Sequence, residues 1–93
     1  MSEETVQVDN DVLILKVAKA LSSDTRIKIL KMTAENEIDV SRIADKLNQT
    51  EANISAQIKI LENAKLLVSR YEPGKHGVRK ICSTRVDTVI LKF

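Results

Sequence analysis

The 93-residue chain is 43% hydrophobic and 30% charged with a net charge of +2, a composition typical of one globular domain. Its two aromatic residues are too few for a stacking surface that binds single-stranded nucleic acid, and its single cysteine excludes an internal disulfide. The polar N-terminus lacks the pattern of a secretory signal and no apolar run approaches the ~20 residues that span a bilayer, so we expect a cytoplasmic protein outside the membrane.

An acidic segment over residues 1–9 opens the chain, and residues 10–21 predict a helix that begins at Asn10 or Asp11 as N-cap. Only one narrow stripe of this helix is polar. Its apolar surface is wider than one core-facing side requires, so it lies deep in the core or contacts a second subunit. We favour the second alternative and predict a dimerisation helix, with its homodimer interface formed by Leu13, Ile14, Val17 and Leu21.

A second helix is predicted over "SSDTRIKILKMTAENE". Ser23 or Asp24 is suited to cap its N-terminus, since both side chains accept hydrogen bonds from free backbone N–H groups. Ile27, Leu30 and Ala34 recur at helical spacing, so we expect these three residues to face the core.

Residues 39–64 predict a helix-turn-helix. The first helix, "DVSRIADKL", has one apolar face and begins at Asp39 or Ser41. A short polar turn follows, and Thr50 is suited to cap the second helix. Two short helices joined in this way form the helix-turn-helix motif.

The second helix of this motif has two different faces. Ile54, Ile58 and Leu61 form an apolar face that predicts burial. The opposite face of its first turns carries small or amide side chains in place of the usual Lys and Glu, namely Ala52, Asn53, Ser55 and Ala56. This surface leaves room for a close approach by another molecule.

A β-hairpin is predicted over residues 66–84, because two alternating runs flank the turn sequence "PGKHG". The stretch 73–85 contains four basic residues, one histidine and no acid. Such a cluster is typical of a polyanion-binding surface, although a solvated loop explains the charge equally well. The C-terminal "RVDTVILKF" predicts a third strand, with a short helix as the alternative.

Three to four helices followed by a hairpin with a basic tip predict an α+β fold, mainly α, of the winged helix-turn-helix type over a single domain of residues 1–93. The segments "ALSSDTRIKIL", "VSRIADKL" and "ISAQIKILENAKLLVSR" followed by a glycine-containing hairpin resemble the ArsR-type winged-helix transcription regulators. This resemblance covers residues 18–82. It implies a homodimeric transcription regulator that binds double-stranded DNA, with the recognition helix over residues 50–59.

The recognition helix of this motif enters the major groove by its N-terminal half, and the wing contacts the backbone or a minor groove. Because Arg79 and Lys80 alternate along one strand, we expect only one of them to contact DNA. The expected DNA-contacting residues are Arg42, Thr50, Ala52, Asn53, Ser55, Ala56, Gln57, Lys59, Lys75, His76, Arg79 and Lys80.

The sequence departs from the family pattern at several positions. Ser55 matches a serine common in the family, but Gln57 replaces a common histidine and Lys65 replaces a glycine at the end of the recognition helix. Metal-sensing members carry a cysteine pair in the preceding helix, whereas here the only cysteine and histidine are Cys82 and His76. We therefore predict no metal site and no cofactor.

Other functions fit less well. The sequence contains no glycine-rich phosphate loop and no pairing of nucleophile and base, so we do not expect an enzyme. Winged helices also serve as protein–protein interaction modules, and a non-specific architectural DNA binder would carry the same basic wing. The basic wing favours DNA binding over the protein-interaction module, while the architectural alternative, the operator, any effector and the sign of regulation stay open.

Overall fold

The computed structural model describes residues 4–93, in which four helices and five strands follow one another. The helices are α1 (Asp11–Ala20), α2 (Asp24–Glu35), α3 (Val40–Leu47) and α4 (Glu51–Asn63). The strands are β1 (Thr5–Val8), β2 (Ile38–Asp39), β3 (Leu67–Gly74), β4 (Gly77–Thr84) and β5 (Thr88–Leu91). No helix in this part of the chain is long and apolar enough to cross a bilayer.

Polar side chains cap three of the helices at their N-termini. Asn10, Ser23 and Thr50 each accept a hydrogen bond from the backbone N–H three residues on, at 2.9, 3.3 and 3.1 Å respectively. Such a bond satisfies one of the N–H groups that a helix start leaves without a partner. Thr50 is confirmed as a cap, and of the two candidates predicted for α1 and for α2 the structure selects Asn10 and Ser23. Asp39 precedes α3 but makes no side-chain capping bond.

The core forms around α4, whose Ile54, Ile58 and Leu61 are fully buried as predicted. Residues from every other helix and from the hairpin pack against this face. The other buried residues of this apolar cluster are Val8, Val17, Ala20, Ile29, Val40, Ile43, Ala44, Ala64, Leu66, Leu67, Cys82 and Val86. The apolar face of α4 is therefore the centre of the domain.

Helix α2 faces the core by a different side from the one predicted. Ile27, Leu30 and Ala34 are only half-buried, whereas Ile29 and Thr33 are buried. Leu30 packs against the core as expected, but the prediction missed Ile29, which lies off the predicted stripe, and Thr33, because it excluded polar residues from the core. The Thr33 hydroxyl donates to the Ile29 carbonyl at 2.8 Å and lies 2.6 Å from the Thr84 hydroxyl of β4, so its polarity is satisfied inside the protein.

Helix α1 contributes to the core of its own protomer more than predicted. Val17 is 0% exposed, so its assignment to a dimer interface is corrected: the residue packs inside one chain. Leu13 and Ile14 are half-buried against the same core. The outer side of α1 instead exposes Val12 by 65% and Leu15 by 70%, two residues that we had not assigned to the interface.

The hairpin extends further than the sequence indicates. Pro73 and Gly74 belong to β3, Gly74 pairs with Gly77 of β4, and only Lys75 and His76 form the turn. The prediction of a five-residue turn was wrong because proline and glycine are tolerated at a strand end. Gly77 has φ +111°, a conformation that side chains with a Cβ rarely adopt. We call residues 67–84 the wing.

The C-terminal strand is confirmed, but its partner is unexpected. β5 pairs in parallel with β1, from Thr5 opposite Thr88 to Val8 opposite Leu91, and this pair forms a sheet separate from the wing. The third strand beside the wing is β2, which pairs with β4. Within the predicted acidic segment 1–9, residues 4–9 therefore include a strand, and residues 1–3 lie outside the described residues. The apolar–polar alternation of "TVQV" was the available signal for β1.

The end of α4 contains a strained residue. Lys65 adopts the left-handed conformation with φ +64°. The Leu66 N–H donates to the Leu61 carbonyl at 3.1 Å and the Lys65 N–H donates to the Glu62 carbonyl at 3.0 Å, which is the hydrogen-bond pattern that usually places glycine at this position.

We predict that Lys65→Gly raises the free energy of unfolding by ~1 kcal/mol, because glycine adopts the left-handed conformation without a steric penalty. Urea denaturation at neutral pH measures the change. Lys65→Ala is the matched control, since it removes the same charge but retains the Cβ. An equal gain in both variants would assign the effect to charge and contradict the conformational explanation.

Candidate nucleic-acid interface

The N-terminal half of α4 presents its small and amide side chains to solvent. Ala52, Asn53, Ser55 and Ala56 are exposed, while Ile54 on the opposite face is fully buried. Lys59 is exposed one turn further on, and Thr50 is exposed but its hydroxyl is engaged as the N-cap. Six predicted contact residues of this segment are thus accessible to solvent, because the burial of the other face fixes the rotation of the helix.

An open groove of about 790 Å³ separates this helix from the wing. Ser55 and Glu51 line the groove from α4, and Ser41 lines it from α3. The wing contributes residues 74–80, which include the predicted contact residues Lys75, His76, Arg79 and Lys80. The tertiary structure therefore brings Ser55 and the basic wing residues to one concave surface. The other predicted contact residues do not line the groove, namely Arg42, Thr50, Ala52, Asn53, Ala56, Gln57 and Lys59.

The two cations of β4 point to opposite sides of the strand, as the alternation predicts, and both contact acids. Arg79 lies 3.1 Å from Glu72 and 3.8 Å from Asp39. Lys80 lies 3.2 Å from Glu62 of α4. The Arg79 side chain is 45% exposed and that of Lys80 only 22%, so Arg79 is the more accessible of the two.

The basic side chains at the tip of the wing have no acidic side chain within ion-pair distance among the described residues. Lys75 and His76 form the two-residue turn and are exposed to solvent. Among residues 4–93, neither forms an ion pair, and the same holds for Lys59 on α4. These three side chains are accessible to an anionic ligand without the loss of an internal partner.

Ion pairs between arginine and glutamate side chains connect the wing to the segment before α3. Arg70 bonds to Glu37 at 3.2 Å and to Glu72 at 2.5 Å, and Glu72 also accepts from Arg79. The hydrogen bond from Arg70, together with that from Arg79, holds the pKa of the Glu72 carboxyl below its usual range. The hydrogen bond with Glu37 contributes most to raising the pKa of Arg70. The sequence signal for the ion pair between Arg70 and Glu72 was their spacing, because residues two apart lie on the same side of a strand.

Asp39 occupies the junction of the wing and α3. Its side chain is 9% exposed, and Oδ1 has no hydrogen-bond partner among the described residues. Arg42 and Arg79 approach the carboxylate at 3.8 Å, a distance for ionic attraction but not for a hydrogen bond. The predicted contact residue Arg42 is 74% exposed, so this pairing leaves it accessible to solvent.

Gln57 is half-buried and belongs to a network of side chains that sequence reasoning missed. Arg26 of α2 donates from Nη1 to Gln57 Oε1 at 2.6 Å, and Gln57 Nε2 donates to Asn53 Oδ1 at 3.4 Å. Asn53 in turn donates to Gln49 Oε1, and Gln49 Nε2 donates to the Thr25 hydroxyl at 3.3 Å. Residues from α2, the turn and α4 are thus joined in one chain of hydrogen bonds, which local periodicity alone does not reveal.

Cys82 is fully buried in β4, where the Ser69 hydroxyl lies 3.6 Å from its sulfur. Burial raises the pKa of the Cys82 thiol, so the neutral form is favoured and the reactive thiolate is disfavoured. Within residues 4–93, no group of three or more His, Cys, Asp and Glu side chains is placed to hold a metal ion.

Comparison of the sequence with known families gives one match that covers the helix-turn-helix. Residues 23–69 match the profile of bacterial regulatory proteins of the arsR family. The chain is also 34% identical over 76 residues to an HTH-type transcriptional regulator, itself uncharacterized, from Methanocaldococcus jannaschii. That alignment covers 81% of this chain and 84% of the relative.

Solved structures with the same fold agree with this match. HlyU from Vibrio cholerae N16961 superposes with a TM-score of 0.69 at 21% identity, over 81% of this chain and 77% of HlyU. A Mycobacterium bovis domain, described as a homodimeric winged helix-turn-helix DNA-binding domain of a possible ArsR-family transcriptional regulator, also has a TM-score of 0.69. It is 26% identical and the match covers 78% of this chain and 64% of that one. The predicted winged helix-turn-helix fold is confirmed.

Proposed function

The chain belongs to the arsR family of bacterial regulatory proteins and is a winged helix-turn-helix transcription regulator, not an enzyme, and on this premise we propose that it binds specific double-stranded DNA sequences as a homodimer. The observation that carries the proposal is the shared surface of α4 and the wing. Ser55 faces the same open groove as the basic wing tip, and the neighbouring exposed side chains of α4 are small or uncharged. This combination suits a polyanion with a grooved surface.

In this proposal α4 enters the major groove. Ala52 and Ala56 allow the helix backbone to approach closely and contact thymine methyl groups. Asn53 and Ser55 hydrogen-bond to base edges, because an amide and a hydroxyl supply both donors and acceptors. The N-terminus of α4 also favours a nearby phosphate through its free N–H groups, and Thr50 begins that turn.

The basic residues around this helix bind the DNA backbone. Within the described residues, no ion pair has to break before Lys59, Lys75 or His76 binds a phosphate. The Arg42 side chain is 74% exposed. Arg79 is the strand cation that we assign to a phosphate, since Lys80 is less exposed and pairs with Glu62. These contacts set position and affinity, while the base contacts of α4 set sequence preference.

The outer side of α1 is the proposed homodimer interface. Val12 and Leu15 are exposed and Leu21 is 36% exposed, while Leu13 and Ile14 are half-buried against the core. Large apolar side chains that a single chain leaves exposed favour contact with a second subunit. The homodimeric state described for the similar Mycobacterium bovis domain supports the same arrangement here.

We predict a steep dependence of duplex affinity on salt. Three or four phosphates neutralised per subunit correspond to a slope of log Kd against log salt of roughly 5–7 in magnitude. Titration between 50 and 200 mM salt, a range of about fourfold, measures the slope.

Duplexes selected from a random pool should contain an inverted repeat with half-sites about one helical turn apart. A flat salt dependence would contradict DNA binding, and binding without sequence enrichment would favour the architectural alternative.

We predict that Ser55→Glu weakens DNA binding by ~100-fold or more, because a carboxylate placed against base edges and phosphates is repelled and poorly solvated. Asn63→Glu is the matched control, since it adds the same charge at the exposed far end of α4. Fluorescence anisotropy measures affinity, and urea denaturation checks that both variants fold. Equal, small losses in the two variants would remove the N-terminal half of α4 from the interface.

We predict that the protein sediments as a dimer at micromolar concentration and that Leu15→Glu shifts it to a monomer, because a carboxylate replaces apolar contact area at the centre of the interface. Asn36→Glu adds the same charge at an exposed position after α2 and should leave the dimer intact. Sedimentation velocity distinguishes the species. A wild-type monomer would contradict the proposed homodimer, and a dimeric Leu15→Glu variant would move the interface away from α1.

A further inference from the structure

In the hydrogen-bonded chain from Thr25 to Gln57, each hydrogen bond between side chains could run either way, because either partner could be the donor. Each of its three amides, on Gln49, Asn53 and Gln57, has an acceptor oxygen and a donor nitrogen on opposite sides of one carbon. The hydroxyl of Thr25 can donate or accept. If all three amides turned over together, the hydrogen bonds between them would persist with every donor and acceptor exchanged.

Arg26 removes this ambiguity. A guanidinium group has donors and no acceptor, so the 2.6 Å contact with Nη1 requires that Gln57 present its oxygen. The Gln57 nitrogen must then face Asn53 Oδ1, the Asn53 nitrogen must face Gln49, and the Gln49 nitrogen must face Thr25. One donor-only group thus orients three amides in succession.

The guanidinium is itself held in place. Its Nε donates to the Ala20 carbonyl at 3.0 Å, and Nη2 donates to the Lys19 carbonyl at 2.9 Å. These carbonyls end α1, where the partial negative charge of the helix favours a cation. Because α1 supplies two fixed acceptors, Nη1 is directed towards α4.

We propose that Arg26 is a positioning residue that sets the base preference of α4 without contacting DNA. This inference rests on the proposed function, in which the exposed Asn53 contacts a base edge. Asn53 uses one N–H and one lone pair of Oδ1 within the network, which leaves one donor and one acceptor for a base. Their order along α4 is constant, with the nitrogen towards Gln49 and the oxygen towards Gln57.

A fixed order of donor and acceptor selects among base pairs. An amide binds adenine by donating to N7 and accepting from N6, and the reversed amide presents the opposite pattern to the same edge. When only one orientation is present, a base pair that requires the other is rejected. Without Arg26, both orientations of Asn53 become accessible and the rejection weakens.

Arg26→Met tests this inference, with Lys28→Met as the matched control. Both variants remove one positive charge from α2, and Lys28 makes only an exposed ion pair with Asp24. In the free protein, nuclear Overhauser contacts from the Asn53 side-chain NH2 should connect to Gln49 alone in the wild type and in Lys28→Met. In Arg26→Met they should connect to both Gln49 and Gln57, which a merely stabilising role would not produce.

The second measurement is base preference, by selection from a random duplex pool. The base pair contacted by Asn53 is the one whose preference disappears in Asn53→Ala. A bidentate amide contact discriminates by roughly 5–150-fold, and we expect Arg26→Met to lower this ratio to about threefold or less at that pair only. Lys28→Met should retain the wild-type ratio.

Several outcomes would overturn the inference. A folded Arg26→Met protein in which Asn53 still contacts only Gln49 would show that Arg26 does not orient the amides. Contacts to both neighbours with an unchanged base ratio would show that the orientation does not set base preference. If Arg26→Met does not fold, Gln57→Leu removes the amide through which Arg26 acts while the contacts of Arg26 with α1 remain, and the Asn53 NH2 should then show contacts both to Gln49 and to the new methyl groups at position 57. If the wild type enriches no sequence, the proposed function fails together with the role in base preference, while the nuclear Overhauser result still decides the orientation by itself.

Discussion

The burial of one face of α4 is the constraint on which the rest of the structure depends. Ile54, Ile58 and Leu61 are fully buried at the centre of the core, and each contributes on the order of 1.5–3 kcal/mol by leaving water. Because a helix is rigid, this burial also determines which residues face outward. The exposed surface of small and amide side chains is therefore a consequence of the same packing that stabilises the domain.

A chain of 93 residues has little material with which to enclose that core, and both ends of the described chain contribute to it. β1 and β5 pair in parallel, and Val8 and Val86 bring buried apolar contacts from near the two ends. An isolated pair of strands is marginal in water, so its stability depends on this packing against the helices. The outer side of α1 retains apolar residues that the single chain does not cover.

Charge in the wing is mostly balanced by nearby acids, although the sequence there is basic. Arg70 and Arg79 contact Glu37 and Glu72, and this arrangement braces the hairpin against the segment before α3. The turn residues Lys75 and His76 keep their donors accessible. Within the described residues, the basic side chains of the strands are thus paired with acids, whereas those of the turn form no ion pair.

Local patterns in the sequence determined the four helices, three of their N-caps, the buried face of α4 and the existence of the wing, because periodicity and capping act over a few neighbouring residues. The resemblance to the family pattern, in which glycine stands at this position, also indicated the left-handed conformation of Lys65 after α4. Only the tertiary structure decided the remaining features, since these depend on residues far apart in the chain. The pairing of β1 with β5 joins opposite ends, the burial of Thr33 requires Thr84, and Val17 is removed from the interface by the core that surrounds it. The orientation of Asn53 depends in the same way on Arg26, 31 residues before the Gln57 that links them, and no local pattern encodes a contact over that distance.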